Sequence, residues 1–319
     1  MSFDLDNKLD FDSAFFDLYK LSESCYGAIT KENSGMGSNA GFIDLGNFTI
    51  IIDTTLNIGA AQDLRRAAVQ YTAKEPNLII ITHFHMDHVI GNSVFDTSTL
   101  IITSDRTLNN IKTENPKRVE EMKNFDPKEL EKMEESLKTE QDEEKRKEIE
   151  KDLRYIKMLQ ADDFFLRGAN AAFKEELILH GREISVHLRT YQKAHTDGDV
   201  TIFIPEEKVL FAGDLLFANV DPWLGSGDPA GWVSLIDEEI LKMDFKVVVP
   251  GHGKLASKEE FNLEKKYIEE IMELAKNRCN AGDDITQIKR KDFSKELQSW
   301  NSPILEWNLN FLSEFFKKS

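Results

Sequence analysis

The sequence predicts an α/β fold, and three patterns indicate it. Apolar strand-like runs alternate with a helical stretch at 60–72, and these runs occupy 41–45, 48–52, 78–81 and 100–102. Side chains that bind metals follow directly after several of the runs. The chain has 319 residues, of which 40% are hydrophobic. This length and composition suit one large globular domain spanning 1–319.

Four metal-binding side chains follow the run at 78–81, in the segment His83-Phe84-His85-Met86-Asp87-His88. Neutral imidazoles and carboxylates are ligands that first-row divalent metals prefer. His83 and His85 project the same way from a strand-end loop, and Asp87 and His88 can face a second ion. The spacing therefore predicts two metals, unlike a zinc-protease helix, whose histidines stand four residues apart. The alternative is a polar strand end whose histidines only form hydrogen bonds.

A charged segment at 112–161 predicts a helical insertion within the domain. Apolar residues recur at helical spacing at Leu130, Met133 and Leu137, whereas 141–147 is wholly polar. The pattern predicts a helical hairpin or two helices, after which strands resume near Ala172. Three roles stay open for the insertion: a lid over the site, a contact in a homodimer, or a solvated embellishment.

Three further candidate ligands follow strand-like runs later in the chain. His195 lies in a turn between two such runs, Asp214 closes the run at 209–212, and His252 stands between two glycines after a third run. Loops at strand ends suit chemistry because a rigid sheet holds them in place. Taken singly, Asp214 could cap a helix and the glycines could mark an ordinary turn. Together with the first motif, all three are predicted to be ligands.

The segment 258–319 predicts a C-terminal helical extension that packs on the outer face of the domain. Its final helix is expected to start at Asn301-Ser302-Pro303. The basic run Lys289-Arg290-Lys291 is followed at once by Asp292. We interpret this run as a solvated turn rather than as a cationic cluster for glutathione.

The order of these motifs, H-x-H-x-D-H, then His, Gly-Asp and Gly-His-Gly, resembles the metallo-β-lactamase superfamily of metal-dependent hydrolases from about Gly41 to Lys254. The resemblance is strongest to the glyoxalase-II-like branch, and it implies a four-layered αβ/βα sandwich. It implies one metal held by His83, His85 and His195, a second held by Asp87, His88 and His252, and Asp214 as the bridge between them. Asp53 resembles the early family aspartate that braces the metal loop.

The resemblance also implies the reaction, that of a dinuclear metal-dependent hydrolase. Two cations roughly 3.5 to 4 Å apart can share a hydroxide, because coordination lowers the pKa of bound water to about 7. We expect this hydroxide to attack the carbonyl of a small ester, thioester or lactone, with Asp87 as the catalytic residue that orients it. Zinc is the expected ion, and iron or manganese also suit these ligands. A phosphodiesterase or nuclease, a mononuclear iron oxygenase and a non-catalytic metal-binding protein are the alternatives.

The residues next to the predicted metal ligands exclude one class of substrate. The apolar run Leu215-Leu216-Phe217 follows Asp214, where many β-lactamases of this superfamily place a lysine that binds the drug's carboxylate. A β-lactamase role is therefore not expected. Trp223 and Trp232 could form an aromatic wall for a partly apolar acyl group, or could simply pack in the core.

Composition argues against nucleic acid and membranes as partners and leaves a small-molecule substrate as the expected one. The formal net charge is -17, from 40 basic and 57 acidic residues. Nucleic-acid binding is not expected, because it depends on lysine and arginine displacing counterions. Residues 1–6 lack a basic start followed by an apolar segment, and no stretch is long and apolar enough to span a bilayer. We expect a cytoplasmic protein without membrane contact, in which Cys25 and Cys279 are free thiols.

Overall fold

A computed structural model of the protein describes residues 7–300 and 302–318. The strands of this part of the chain are β1 (Phe16–Lys20), β2 (Cys25–Thr30), β3 (Ala40–Asp44), β4 (Thr49–Ile52), β5 (Leu78–Ile80), β6 (Leu100–Ser104), β7 (Ala171–Phe173), β8 (Glu176–His180), β9 (Ser185–Tyr191), β10 (Asp199–Ile204), β11 (Val209–Ala218) and β12 (Val247–Gly253). The α-helices are α1 (Ile58–Thr72), α2 (Met86–Val89), α3 (Asp105–Thr113), α4 (Asn115–Lys123), α5 (Pro127–Thr139), α6 (Glu143–Gln160), α7 (Pro229–Glu238), α8 (Lys258–Ala281) and α9 (Ile304–Lys318).

The strands form two sheets. One has seven strands in the order β1-β2-β3-β4-β5-β6-β7, and the other has five in the order β12-β11-β10-β9-β8. The first sheet is antiparallel from β1 to β4 and parallel from β4 to β7. In the second sheet only β11 and β12 run parallel. Parallel pairing brings the carboxyl ends of β4, β5 and β6 to one edge, where the first metal motif begins.

Three apolar clusters separate four layers of structure. Between the two sheets, Ile50 and Ile80 pack with residues such as Val200. The alternate residues of the same strands, such as Ile51, turn away from the second sheet and pack against α1. The outer face of the second sheet packs on α7, α8 and α9 through a further cluster. This arrangement of helix, sheet, sheet and helix confirms the predicted four-layered αβ/βα sandwich.

The strand predictions around the first motif agree with β3 to β6, and the helix predicted at 60–72 is α1. Asn57 caps α1 by accepting hydrogen bonds from the backbone N–H groups of Gly59 and Ala60. The strands β1 and β2 were not predicted, because Lys20 and Asp17 interrupt the first and small residues dilute the second. Pairing of β1 with β2 and of β2 with β3, together with burial between the layers, stabilises these two strands despite their weak local pattern.

The charged segment folds differently from the predicted two helices. Three helices, α4, α5 and α6, lie within 112–161, and α3 ends at its start. Two prolines account for the extra breaks. Pro116 and Pro127 each stand in the first turn of a helix, where a missing N–H is tolerated, and neither can continue a preceding helix. Leu153, Ile156 and Leu159 of α6 are buried, so this segment is anchored rather than wholly solvated.

Asp214 does not close its strand as the sequence suggested. The strand β11 runs on to Ala218, and its parallel register with β12 shifts on both sides of Gly213. Gly213 has a φ of +53°, a left-handed conformation that favours glycine. This irregularity presents Asp214 from within the strand. The apolar residues Leu215, Leu216 and Phe217 therefore belong to the same strand as 209–212.

Two helices of the C-terminal segment cover the second sheet. The helix α8 starts with a capping box between Ser257 and Glu260 and ends at Gly282. The helix α9 follows the predicted start, of which Asn301 lies outside the described residues. Arg290 is not part of a solvated turn, since its side chain is largely buried and pairs with the buried Asp221. Among the described residues, no helix combines the length and apolar character needed to cross a membrane.

Candidate metal centre

The seven predicted ligands meet at one edge of the sandwich. His83 and His85 lie in the loop after β5, and Asp87 and His88 belong to α2. His195 lies in the turn between β9 and β10, and the remaining two come from the adjacent strands β11 and β12. Their donor atoms form two groups in which all atoms lie within 4.8 Å of one another: His83, His85, His195 and Asp214 in one, and Asp87, His88 and His252 in the other.

The first group is tightly packed. Nδ1 of His85 lies 2.9 Å from Nε2 of His195 and 3.1 Å from Nε2 of His83. Oδ2 of Asp214 lies 3.3 Å from Nε2 of His195 and 3.5 Å from Nε2 of His83. Three imidazole nitrogens and one carboxylate oxygen therefore point at a common position, which is the donor set that divalent first-row metals prefer.

The second group shares Asp214 with the first. Oδ2 of Asp87 lies 3.4 Å from Nε2 of His252 and 3.7 Å from Nε2 of His88. Asp214 reaches both of these histidines, with Oδ1 3.1 Å from Nε2 of His88 and Oδ2 3.3 Å from Nε2 of His252. A single carboxylate thus lies between the two groups.

Asp53 braces the loop that carries the first motif. Its carboxylate accepts hydrogen bonds from Nδ1 of His88 at 2.7 Å and from both the backbone N–H and the hydroxyl of Thr82 at 2.8 Å. The bond from His88 fixes the tautomer in which Nε2 carries the lone pair. Asp53 itself adopts a φ of +55°, which is uncommon for a residue other than glycine. The backbone strain is held by these three hydrogen bonds.

A loop that the sequence did not assign to the metal centre orients the first group. The backbone carbonyl of Trp223 accepts a hydrogen bond from Nδ1 of His195 at 3.1 Å. The hydroxyl of Ser226 lies 2.9 Å from Nε2 of His85 and accepts a bond from the indole N–H of Trp223. Partners of this kind hold the rings of ligating histidines in place. The only signal in the sequence was the aromatic and glycine-rich character of this loop.

The loop is in turn held by α9. The buried side chain of Asn308 donates to the carbonyl of Pro222 at 2.7 Å and accepts from the backbone N–H of Leu224 at 2.9 Å. It also lies 3.3 Å from the hydroxyl of Tyr267. A helix that is remote in sequence therefore positions two of the predicted ligands through one loop.

Burial and neighbouring charges shift the pKa values in opposite directions. Burial lowers the pKa of His195 to about 3 and that of His83 well below its ordinary value, so both imidazoles are neutral. Burial alone would raise the pKa of Asp214, but the facing His252, His88 and His83 lower it far below its usual range. The carboxylate is therefore ionised and the imidazoles present lone pairs, which are the protonation states a metal requires.

His88 and His252 behave differently because they face more carboxylate. Burial would lower the pKa of His252, but Asp214 and Asp87 raise it to about 9. The pKa of His88 is raised in the same sense by Asp214, Asp53 and Asp87 against the effect of burial. In this negative environment either protons or a divalent cation can supply the missing positive charge.

Two buried atoms favour a divalent cation over protons as the source of this positive charge. Nε2 of His88 and Oδ1 of Asp214 have no hydrogen-bond partner although both are buried. They face each other at 3.1 Å, and Asp53 already occupies the other ring nitrogen of His88. A pair of orphaned acceptors in a buried site requires an explanation, which a bound metal provides. The residues present therefore fit a divalent metal.

Gly251 permits the close approach of β12 to Asp214. A Cβ atom at this position would lie 1.8 Å from Oδ1 of Asp214. Any larger side chain must displace the carboxylate that both groups share. The glycine before His252 is thus required by packing at the site rather than by a turn, because the strand continues through it.

Asp199 secures the turn that presents His195, and it makes stability depend on pH. Its buried carboxylate accepts bonds from the backbone N–H and hydroxyl of Thr196 at 2.8 and 2.6 Å, while burial raises its pKa to about 7. An acid whose pKa is raised in the folded state holds its proton more tightly there. Its contribution to stability is complete below about pH 4 and is lost as the pH rises towards 7.

We therefore expect Asp199→Asn to change the pH dependence of unfolding. As the pH rises from 4 to 8, the metal-free parent should lose up to about 4 kcal/mol of unfolding free energy through ionisation of Asp199. The metal-free variant should not show this loss, because asparagine does not ionise. Urea unfolding of both chelator-treated proteins at several pH values measures the difference. The same pH dependence of the unfolding free energy in both proteins would contradict the prediction.

A large cleft opens over the two groups. Its volume is about 970 Å³, and its lining includes Asp87 and His252. One wall comes from α4 and α6, and the other comes from the start of α9 and the loop at 220–226. Trp223 lines this cleft, as an aromatic wall would, whereas Trp232 is fully buried and donates to the carbonyl of Leu215, which is ordinary packing.

The fold resembles several solved structures at low sequence identity. A metallo-beta-lactamase from Pontibacter korlensis shares 15% identity over 80% of this chain and 99% of its own, with a TM-score of 0.58. The mono-zinc form of the metallo-beta-lactamase FIM-1 from Pseudomonas aeruginosa shares 15% over 79% of this chain and 94% of its own, with a TM-score of 0.54. A double mutant of the sec-alkyl sulfatase PisA1 shares 14% over 94% of this chain, with a TM-score of 0.65, and this chain covers 50% of it.

No curated protein matches the sequence at a significant level. The model of the metallo-beta-lactamase superfamily matches residues 34–102 and 107–252, which is more than half of the chain and includes every residue of the two donor groups. The chain belongs to the metallo-beta-lactamase superfamily.

Proposed function

We propose that the protein is a hydrolase that holds two divalent metal ions, with zinc as the first candidate, and that cleaves an ester, thioester or lactone. The observation that carries this proposal is the position of Asp214, whose two oxygens face the donor groups on either side. A structural metal site needs one closed set of ligands. Two open groups that share a carboxylate beside a large cleft are better suited to catalysis.

The residues of the site have two roles, holding the ions and orienting the donor rings. When bound, two divalent ions supply Lewis acidity and a water that ionises near neutral pH. His83, His85 and His195 would hold the first ion and His88, His252 and Asp87 the second, with Asp214 shared. The loop at 223–226 and Asp53 keep the imidazole rings oriented. This preorganisation fixes the donors before substrate enters.

Asp87 is the proposed catalytic residue. Its side chain is about a quarter exposed and lines the cleft, whereas Asp214 is buried. It is therefore the carboxylate of the site that an attacking water can reach. His88 and His252 keep its pKa well below the ordinary range despite burial, so it is ionised and accepts a hydrogen bond from that water.

The proposal is tested by metal analysis and a substrate panel. Protein purified without added metal should contain two divalent ions per chain by elemental analysis. The same sample should hydrolyse at least one member of a panel of aryl esters, thioesters, lactones, phosphodiesters and alkyl sulfates. Consumption of oxygen with a single iron per chain would support the mononuclear oxygenase instead.

Asp87→Asn separates catalysis from metal binding. We expect kcat/KM on the best substrate to fall by at least about a hundredfold, the usual contribution of a positioned acid or base. Asparagine keeps an oxygen ligand, so at least one ion per chain should remain. Asp244→Asn is the matched control, because that carboxylate is 79% exposed and lies outside the cleft lining. Unchanged turnover in Asp87→Asn would overturn the assignment.

A second candidate is an alkyl sulfate ester as substrate. The cleft wall formed by α4 carries Arg118, whose ion pair with Glu121 is exposed and therefore weak. Its other guanidinium N–H groups can bind an anionic group. The fold is similar to that of an alkyl sulfatase over 94% of this chain, which is why the substrate panel includes alkyl sulfates.

A further inference from the structure

We propose that the two walls of the cleft recognise an amphiphilic acyl substrate: Asn115 donates a hydrogen bond to a polar acceptor in it, and Trp223 with Trp307 bind its extended apolar part. This inference rests on the proposed hydrolytic function and specifies its substrate class. It narrows the small esters, thioesters and lactones to those with a medium-length apolar chain or aromatic group and a second carbonyl or amide.

Asn115 provides the polar half of the proposed recognition site. It is the first residue of α4, only 2% exposed, and it lines the cleft that opens on Asp87 and His252. Its side-chain Nδ2 is buried and has no hydrogen-bond partner. A buried amide donor without a partner destabilises a fold. A donor left unsatisfied in the wall of an active-site cleft is explained by a ligand acceptor that completes it.

The backbone explains why this donor is held in place. Pro116 follows Asn115 and has no N–H, so it can stand in the first turn of a helix but cannot continue a preceding one. The helix α3 therefore ends at Thr113, and α4 starts at Asn115. The side chain of Asn115 thus lies at the junction of two helices, where it is only 2% exposed.

Two tryptophans form the apolar half. Trp307 of α9 is 54% exposed, and its ring centroid lies 6.2 Å from that of Trp223 in an edge-to-face arrangement. Both line the cleft. An exposed tryptophan over a catalytic site offers a large apolar surface that a substrate can cover. Trp223 is fixed through Ser226 to His85, so the apolar wall is joined directly to the metal centre.

The size of the cleft sets the scale of the substrate. Its volume of about 970 Å³ is at the upper end of small-molecule sites, which hold ligands of drug size. An acetyl group would leave most of this space to water and would leave Trp307 uncovered. A chain of about eight carbons fills more of this space and offers Trp307 an apolar surface.

Binding of inert probes tests the recognition without any turnover. The probes are N-octanoylglycinamide and N-acetylglycinamide, titrated into the metal-loaded protein by calorimetry and by tryptophan fluorescence. We expect the octanoyl probe to bind at least about tenfold tighter, since each buried methylene adds to the apolar contact. Trp307→Ala should reduce this preference below about threefold. Phe165→Ala is the matched control, since Phe165 is 58% exposed and lies outside the cleft lining, and it should leave the preference intact.

Asn115→Leu distinguishes recognition from a structural role. Leucine has a similar size and removes the unsatisfied donor, so the melting temperature should stay the same or rise. Binding of both probes should nevertheless weaken by about tenfold, the usual effect of one lost hydrogen bond to a ligand. A lower melting temperature with unchanged binding would show that Asn115 is structural and would overturn its part of the proposal.

The outcomes separate this inference from the proposed function. Chain-length-dependent binding in a protein that hydrolyses no member of the panel would retain the recognition site and reject the hydrolase. Hydrolysis of acetyl and octanoyl esters at equal kcat/KM, with equal binding of the two probes, would retain the hydrolase and overturn the amphiphile site.

Discussion

Replacing Asp214 with alanine is expected to empty both metal groups. The carboxylate lies within 3.1 to 3.5 Å of four imidazole nitrogens, those of His83, His88, His195 and His252. Without it, the proposed site loses the one carboxylate that both donor groups share and the negative charge that would offset the two ions. Elemental analysis should find fewer than one ion per chain, and kcat/KM should fall by far more than the roughly hundredfold caused by losing an outer partner of a ligand.

His252→Ala is the informative comparison for this prediction. It removes one donor of the second group only, so one ion per chain should remain in the first group. His180→Ala serves as the control because this histidine is exposed and is not one of the grouped donors. Asp214→Ala that retains two ions per chain would contradict the shared-ligand geometry, whatever happens to turnover.

Asn308→Ala is expected to weaken both the fold and the first metal group. The substitution leaves the carbonyl of Pro222 and the N–H of Leu224 without partners in a buried place, where Asn308 now satisfies both. We expect the unfolding free energy to fall by about 2 to 4 kcal/mol, the combined cost of two such groups. Urea unfolding of the metal-free proteins measures this change.

The second readout concerns the ions. The freed loop carries the partners of His195 and His85, so the affinity of the first group should fall by about 10- to 100-fold, as for other partners of ligating histidines. The second group has no contact with this loop and should keep its affinity. Chelator competition separates the two sites. Asn262→Ala, an exposed asparagine on α8, is the control, and equal loss from both sites would contradict the role of the loop.

The metal centre was foreseeable in outline because its first half is local in sequence. Four donors within six residues after an apolar run leave few interpretations, and the order of the remaining motifs completes the set that the structure brings together. The strand that contains Asp214 was predicted too short. Its apolar residues continue beyond two register shifts, one on each side of Gly213, which a pattern of alternation does not reveal.

The surroundings of the centre were not foreseeable, since they depend on contacts between distant segments. Asn308 meets Leu224 across 84 residues, and Asn115 and Trp307 line the same cleft from opposite walls, although neither has a distinctive local pattern. The insertion was recognised by its charge, but its division at Pro116 and Pro127 was missed. Composition indicates where a helix is exposed and does not say what lies beneath it.

The donors and the cleft walls occupy separate stretches of the chain. No member of the two donor groups belongs to α4, α6 or α9, the helices that contribute side chains to the walls. Variation can therefore act on the walls while the reaction chemistry is inherited unchanged. A library randomised at Asn115 and Trp307 should yield altered acyl preferences at full metal content, so the molecule offers a scaffold in which selectivity evolves independently of catalytic power.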